Sequence, residues 1–178
     1  MSDIYDRIVS ERGSFERLIA RIPGFRGYQE KQARRTADEM LRKYTSDLIR
    51  QRLDRFIRIE QLIINNGGLA YMTRTRNVKS KLQQLKDKID TASPGYSGMW
   101  AQLKIDTDEM ERLYAFDEAQ IRHVEAFDTA LDAIEHAAGT KEGLDEAIVQ
   151  LDMLAVDALN AYELRDDVIN NFSQEHGS

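Results

Sequence analysis

Two unbroken stripes of mostly apolar residues in the second half of the chain constrain the fold most strongly. The first runs from Met110 to Ala138 and the second from Leu144 to Phe172, and in both the stripe positions recur at alternating intervals of three and four residues. This spacing places the stripe along one face of a helix, as in the seams of coiled coils. The short break at Gly139-Thr140 predicts that the two helices pack antiparallel.

Each stripe is interrupted by polar residues at two positions, and the interruptions are predicted to meet. Matching Ile134 with Ile148 on the two sides of the break sets the register of the hairpin. In this register Asp117 faces Arg165, and Gln120 faces Tyr162. We expect an ion pair or close polar contact between Asp117 and Arg165, which together with Gln120 and Tyr162 forms a structural polar seam that can define the register without adding stability.

The rest of the chain also reads as helix, because it contains only two prolines, Pro23 and Pro94. The predicted fold is all-α: an elongated antiparallel bundle of about five helices with coiled-coil-like seams. We expect a single domain over 1–178, composed of a first helix at about 2–22, a helical hairpin at 28–90, a linker at 91–98 and a second hairpin at 106–172.

Several residues are candidates for ending or weakening the predicted helices. Gly13 weakens the middle of the first helix. Asp106 and Thr107 compete as N-cap of the fourth helix, and Thr140 is the candidate N-cap of the fifth. The segment 65–68, with the sequence Asn-Asn-Gly-Gly, predicts a turn between the second and third helices.

The charge is divided unevenly between the two halves of the chain. Residues 1–89 hold 20 Lys and Arg against 11 Asp and Glu, a net charge of +9, whereas residues 90–178 hold 5 against 20, a net charge of −15. We expect the basic half to pack beside the acidic half. Pairs one turn apart in the basic half, such as Asp38 and Arg42, indicate a solvated helix face. The alternatives are a basic face for an anionic partner, or head-to-tail assembly of charge-divided copies.

Both prolines begin a short string with the pattern Pro-Gly-aromatic-x-Gly, one from Pro23 and one from Pro94. If the chain forms an up-and-down bundle, both strings lie at the same end. One interpretation is a pair of helix connectors whose aromatic residues plug the bundle. The other is a recognition surface, for which the candidate partner-binding residues are Phe25, Arg26, Tyr28, Tyr96 and Trp100.

Motifs for catalysis are not found in the sequence. Cysteine is absent, and neither a nucleophile elbow nor a phosphate-binding loop occurs. The acidic half carries His123 and His136, but no Glu-x-x-His pair of the kind that di-metal bundles use. We therefore predict no catalytic residues, no metal and no cofactor. Neither a secretory leader nor a run of eighteen apolar residues is seen, so a cytoplasmic protein is expected.

The function expected from these features is a non-catalytic helical interaction or scaffold module, and one form of it self-associates through the basic and acidic halves. A protein partner or a second copy is the expected partner, and no small-molecule substrate is predicted. One alternative is binding of nucleic acid or an anionic membrane surface through the basic half. A second alternative is a carboxylate-rich metal-binding bundle enzyme.

Two parts of the sequence carry a resemblance to a known family. The segment from Ile22 to Asp38, which includes Pro-Gly-Phe-Arg-Gly-Tyr, and the later string Leu113-Tyr-Ala-Phe-Asp117 resemble a family of uncharacterised small bacterial helical-bundle proteins. The resemblance implies a bacterial stand-alone protein. It carries no active-site motif and implies no activity.

Overall fold

The computed structural model describes residues 3–91, 100 and 103–175, and these residues form an all-α helical bundle without strands. Two short 3-10 turns, Lys31–Ala33 and Leu69–Tyr71, each lead directly into a longer α-helix. The described α-helices are α1 (Asp3–Val9), α2 (Ser14–Arg21), α3 (Arg34–Asn65), α4 (Met72–Asp90), α5 (Thr107–Ala137) and α6 (Leu144–Glu175). None of the described helices combines the length and apolar character that a membrane span requires.

The first predicted helix is in fact two helices, so the expectation of one continuous helix at about 2–22 is wrong. The chain leaves the helical conformation after Val9 and re-enters it at Ser14. Gly13 adopts φ 73°, in the left-handed region, and serves as the N-cap residue of α2. A left-handed residue cannot continue a right-handed helix, which explains why this glycine breaks the helix rather than only weakening it.

The hairpin predicted at 28–90 forms, but its first helix begins later than expected. Glu30 is extended, and regular α-helix begins only at Arg34. The predicted turn between the hairpin's helices is confirmed, with Gly67 at φ 81° and the Gly68 amide donating to the Ile63 carbonyl at 2.8 Å. Of the predicted linker, Thr91 is described and 92–98 lie outside the described residues.

The two predicted N-caps of the acidic half have different outcomes. The carboxylate of Asp106 accepts a hydrogen bond from the Glu109 amide at 2.8 Å, so Asp106 rather than Thr107 caps α5. Thr140 accepts a hydrogen bond from the Glu142 amide at 3.3 Å, but α6 begins only at Leu144. The prediction of Thr140 as N-cap is wrong, because Lys141 and Gly143 both adopt positive φ and delay the helix.

The chain divides into two compact units. Unit 1 comprises Met1–Thr45, Asp90–Ile121 and Asn160–Ser178, and unit 2 comprises Ser46–Ile89 and Arg122–Leu159. Parts of α3, α5 and α6 therefore belong to each unit. The expected single domain over 1–178 stays a prediction.

Both seams are buried, as their spacing predicts. All nine positions of the seam from Leu144 to Phe172 are buried, and so are the positions of the seam from Leu113 to Ala138; Met110 at its start is half-buried. In unit 1 the nine consecutive residues 113–121 of α5 are all buried, so this stretch is enclosed on every face. A helix enclosed in this way lies at the centre of its unit.

Candidate functional site

Unit 1 encloses a buried ion pair at the point where the two seams are polar. The Arg165 Nε atom donates a hydrogen bond to Asp117 Oδ1 at 2.6 Å, which confirms the predicted contact between α6 and α5. Both side chains are almost completely buried, with Arg165 1% and Asp117 0% exposed. Because a buried charge without a partner is strongly destabilising, each residue depends on the other to be tolerated.

The ion pair continues onto α3 through Asp38. Arg165 Nη2 donates to Asp38 Oδ1 at 3.0 Å, and Arg42 Nε donates to Asp38 Oδ2 at 2.8 Å. Two carboxylates therefore face two guanidinium groups, and their formal charges cancel. Arg42 also reaches the Tyr162 hydroxyl from Nη1 at 3.3 Å.

The sequence interpretation of Asp38 and Arg42 as a solvated pair is wrong, since both side chains are buried. A signal for the burial of Arg42 is present in the sequence. Counting back in steps of seven from Ile63 through Phe56 and Ile49, all buried, leads to Arg42. Position 42 therefore faces the core, as the apolar positions of the same heptad series do, although its residue is charged.

Tyr28 joins the loop between α2 and α3 to this polar cluster. Its hydroxyl donates to Asp117 Oδ2 at 2.6 Å, so Asp117 accepts hydrogen bonds on both carboxylate oxygens. The Tyr28 ring stacks on Trp100, with centroids 5.2 Å apart, and on Tyr114, with centroids 5.4 Å apart. Phe25 meets the same ring edge-on at 6.0 Å. The four rings form a buried aromatic cluster beside the ion pair.

Backbone contacts hold this loop in place. The Tyr28 amide donates to the Tyr114 hydroxyl at 2.8 Å, and Arg34 Nε donates to the Tyr28 carbonyl at 2.6 Å. Arg34 Nη1 also donates to the Leu103 carbonyl at 2.6 Å. Gly27 adopts φ 78°, and a Cβ atom at this position would lie 2.3 Å from the Tyr114 hydroxyl oxygen. Only glycine fits here without a shift of the surrounding side chains.

Burial governs the protonation of the cluster. It raises the pKa of the Tyr28 phenol well above its usual value, and the negative charge of Asp117 raises it further. Burial also raises the pKa of Asp117, against the opposing effect of Arg165 and of the hydrogen bond from Tyr28. The Tyr28 phenol thus remains a neutral hydrogen-bond donor at physiological pH. These side chains are shielded from solvent and connect α3, α5 and α6 within unit 1.

The predicted partner-binding residues divide into buried and exposed members. Phe25, Tyr28 and Trp100 are each no more than 4% exposed, so they form a plug inside unit 1 and not an exposed recognition surface. Arg26 is exposed and pairs with Glu30 at 3.4 Å. Tyr96 lies outside the described residues. Partner binding by Arg26 and Tyr96 stays a prediction.

The second predicted polar contact of the seam, between Gln120 and Tyr162, has a different outcome from the contact between Asp117 and Arg165. Gln120 and Tyr162 are both buried, as the seam requires. The Tyr162 hydroxyl interacts with Arg42, and the Gln120 Nε2 atom has no hydrogen-bond partner within the described part of the chain. Arg42, which the sequence interpretation placed in solvent, thus contacts the tyrosine expected opposite Gln120.

Unit 2 is held by ion pairs between the basic and the acidic half of the sequence. Arg52 on α3 pairs with Asp128 at 2.8 Å, and Arg55 pairs with Asp132 and with Glu135 on α5. Two further pairs of this kind join α4 to α6: Arg74 with Asp145 and Lys81 with Asp152. The expectation that the basic half packs beside the acidic half is confirmed within this unit.

Large apolar side chains are exposed mainly on unit 2. Only Ile19 is of this kind among the described residues of unit 1. Those of unit 2 are Ile57, Leu62, Ile64, Leu69, Val149 and Met153. Val149 and Met153 are one turn apart on α6 and share a face, as do Ile57 and Ile64, two turns apart on α3.

Within residues 3–91, 100 and 103–175, no group of three or more His, Cys, Asp or Glu residues is placed to hold a metal ion. Asp132, which lies one turn from His136 on α5, is instead bound by Arg55. Three carboxylates of this helix, Asp128, Asp132 and Glu135, thus act as partners for arginine.

No family model, curated protein or solved structure matches this chain. The resemblance to uncharacterised bacterial helical proteins therefore stays a prediction, and the function has to be inferred from the geometry of the chain itself.

Proposed function

We propose that the chain is a non-catalytic helical interaction module, and that it binds a protein partner or a second copy of itself through apolar side chains exposed on unit 2. The observation that carries this proposal is the uneven distribution of large exposed apolar residues, six on unit 2 against Ile19 alone on the described part of unit 1. Single exposed apolar residues are ordinary, so the support comes from the two pairs that share a helix face, Val149 with Met153 and Ile57 with Ile64.

The pair Val149 and Met153 on α6 is the most specific candidate for the contact surface. Val149 is 51% exposed and Met153 is 56% exposed, and the spacing of four residues places them side by side. Methionine adapts its shape to different partners, which suits it to an interaction surface. Burial of such side chains by a partner supplies the largest contributions to binding in most interfaces.

The charged residues of unit 2 give less support to binding by electrostatics alone. Arg52 and Arg55 are engaged by acids of α5, and Lys79 pairs with Glu60 at 2.6 Å. Cations that already have an acidic partner within the chain attract phosphates less strongly. We therefore favour binding through apolar contacts over assembly through the basic and acidic halves. For the same reason we favour it over binding of nucleic acid or an anionic membrane.

The metal-binding enzyme also ranks below the interaction module. Its acids would have to converge on an ion, whereas Asp128, Asp132 and Glu135 on α5 point to arginines of α3. The buried cluster of unit 1 uses its carboxylates in the same manner.

Affinity capture from the native host, followed by mass spectrometry, tests the proposal when it is run with two variants in parallel. The double variant Val149→Gln/Met153→Gln removes the apolar pair of α6, and Ile19→Gln removes an exposed apolar side chain of unit 1 as a matched control. We expect the captured partner to be lost with the double variant and retained with the control. A partner retained equally by both variants would refute the proposed surface.

Sedimentation velocity tests self-association through the same surface. We expect any dimer to persist from low to high salt and to weaken about tenfold or more in the double variant, which corresponds to about 1.4 kcal/mol. A dimer that dissociates on addition of salt, and whose affinity is the same in the double variant, would instead support pairing of the charged halves.

A further inference from the structure

Unit 1 contains an open cleft that the proposed interaction function does not use. It lies where α2 and α5 begin, and its volume is about 680 Å³. Clefts of about 300–1,000 Å³ are the usual size for small-molecule sites. The chemistry of its lining therefore indicates what it can hold.

The apolar part of the lining comes from both helices and from the segment before α5. Phe15 of α2 stacks on Tyr114 of α5, with ring centroids 4.6 Å apart and planes inclined by 28°. Ile105 and Met110 complete this apolar part. Because Tyr114 is also held by the Tyr28 amide, the aromatic wall is anchored to the core of unit 1.

The charged part of the lining is acidic. Four carboxylates and a single cation, Arg12, border the cleft. Two of the carboxylates have a role within the chain, because Glu11 pairs with Arg17 at 3.4 Å and Asp106 caps α5. The other two, Glu16 on α2 and Glu111 on α5, have no ion-pair or hydrogen-bond partner among residues 3–91, 100 and 103–175.

The helix termini at the cleft do not reverse this charge. Each helix N-terminus contributes about half a positive elementary charge, so the starts of α2 and α5 together contribute about one. The ionisable side chains of the lining sum to −3. A cation is therefore favoured over an anion in the cleft.

We propose that this cleft binds an aliphatic diamine or polyamine, whose ammonium groups pair with Glu16 and Glu111 while its methylene chain packs on Phe15, Met110 and Tyr114. Carboxylates on two different helices suit a ligand with two separated cations. This ligand differs in kind from the protein partner proposed for unit 2.

Calorimetric titration with matched ligands tests the chemistry of the ligand. The probes are 1,4-diaminobutane, 1,8-diaminooctane, and 1,8-octanediol as the uncharged control. We expect the longer diamine to bind more tightly, by up to about fourfold for each added methylene that becomes buried, and the diol not to bind. Binding of the diol as tight as that of the diamine, or binding of neither diamine at millimolar concentration, would overturn the proposal.

Paired charge-removal variants test the position of the site. Glu16→Gln/Glu111→Gln removes the two unpartnered carboxylates, and Glu39→Gln/Glu163→Gln removes two exposed carboxylates outside the cleft with the same change in net charge. We expect the first pair to weaken diamine binding by about 2- to 30-fold and the second to leave it unchanged. Equal weakening by both pairs would show that the diamine responds only to net charge, and would refute the site.

Discussion

Arg165 and Asp117, 48 residues apart in the sequence, form a buried ion pair at 2.6 Å between α6 and α5. The pair occupies seam positions that the heptad spacing reserves for apolar residues. Asp38, Arg42 and Tyr28 complete its hydrogen bonds, so the charges are compensated inside unit 1. Such a contact favours one register because any slip of the helices would separate buried charges.

Removal of one partner of this pair should destabilise the chain strongly. We expect Arg165→Met to lower the free energy of unfolding by about 3–5 kcal/mol, since Asp117 and Asp38 lose a buried cation. The double variant Arg165→Met/Asp117→Leu should lose less than the sum of the single variants. Urea unfolding measures both quantities.

The exposed pair of Arg35 and Glu39 is the matched control. Its variant Arg35→Met should change the free energy of unfolding by no more than about 1 kcal/mol. If Arg165→Met were as mild as Arg35→Met, the buried pair would not have the structural role assigned to it.

Tyr28 should make the chain sensitive to alkaline pH. Its pKa in the folded state is raised by burial and by Asp117, and the pKa of Tyr114 is also raised by burial. The folded state therefore favours the neutral phenol over the phenolate more strongly than the unfolded state does. The stability that this contributes is present below the unfolded pKa of about 10 and is lost as the pH rises above it.

We therefore expect the free energy of unfolding to fall as the pH rises above about 10, and to fall less steeply in Tyr28→Phe. At neutral pH the same variant should be less stable by about 1.5–3 kcal/mol, because Asp117 loses a hydrogen bond. Denaturant titrations at a series of pH values measure both effects. Identical slopes above pH 10 in the two proteins would contradict the assignment to Tyr28.

Gly27 should not tolerate a side chain. It has φ 78°, and an added Cβ would lie 2.3 Å from the Tyr114 hydroxyl oxygen and 2.7 Å from the Phe15 ring. We expect Gly27→Ala to cost about 2–5 kcal/mol, from the left-handed backbone and the clash together. Thermal unfolding measures the loss.

Gly143 separates these two causes. It has φ 75°, but nothing lies within 4 Å of an added Cβ. Gly143→Ala should therefore cost only about 1–2 kcal/mol, the backbone contribution. Equal losses at both positions would show that close packing around Gly27 contributes nothing.

Leu131 tests the seam of unit 2. It is fully buried at a seam position of α5, so Leu131→Asp should remove its apolar contacts and bury an unpaired charge. We expect a loss of more than about 4 kcal/mol or outright unfolding, measured by thermal unfolding and circular dichroism. Val149→Asp, at a 51% exposed position of α6, should change stability by less than about 1 kcal/mol. An unchanged melting temperature in Leu131→Asp would mean that the seam is not a core.

Several features of the candidate sites could not be predicted from the spacing of neighbouring residues in the sequence. Asp38 and Arg42 read as a surface pair because their one-turn spacing is typical of solvated helices. Their burial depends on Arg165, which comes more than 120 residues later. Gly27 likewise gives no local sign that Tyr114 lies against it.

The interruption of the first predicted helix shows a second limit of prediction from the sequence. Local spacing predicted one helix over about 2–22, yet Gly13 adopts a left-handed conformation that interrupts it. A glycine inside a periodic segment can be accommodated or can break the helix, and its neighbours in the sequence do not distinguish the two.

The sequence alone determined the helical class, the two seams and the contact of Asp117 with Arg165, because periodic burial depends on side chains that repeat along one helix face. The tertiary structure alone decided how Asp38 and Arg42 join the buried ion pair, where the aromatic plug lies and which carboxylates line the cleft. Those features depend on residues far apart in the chain, and the free energy of a buried charge is set by the partners that folding brings to it.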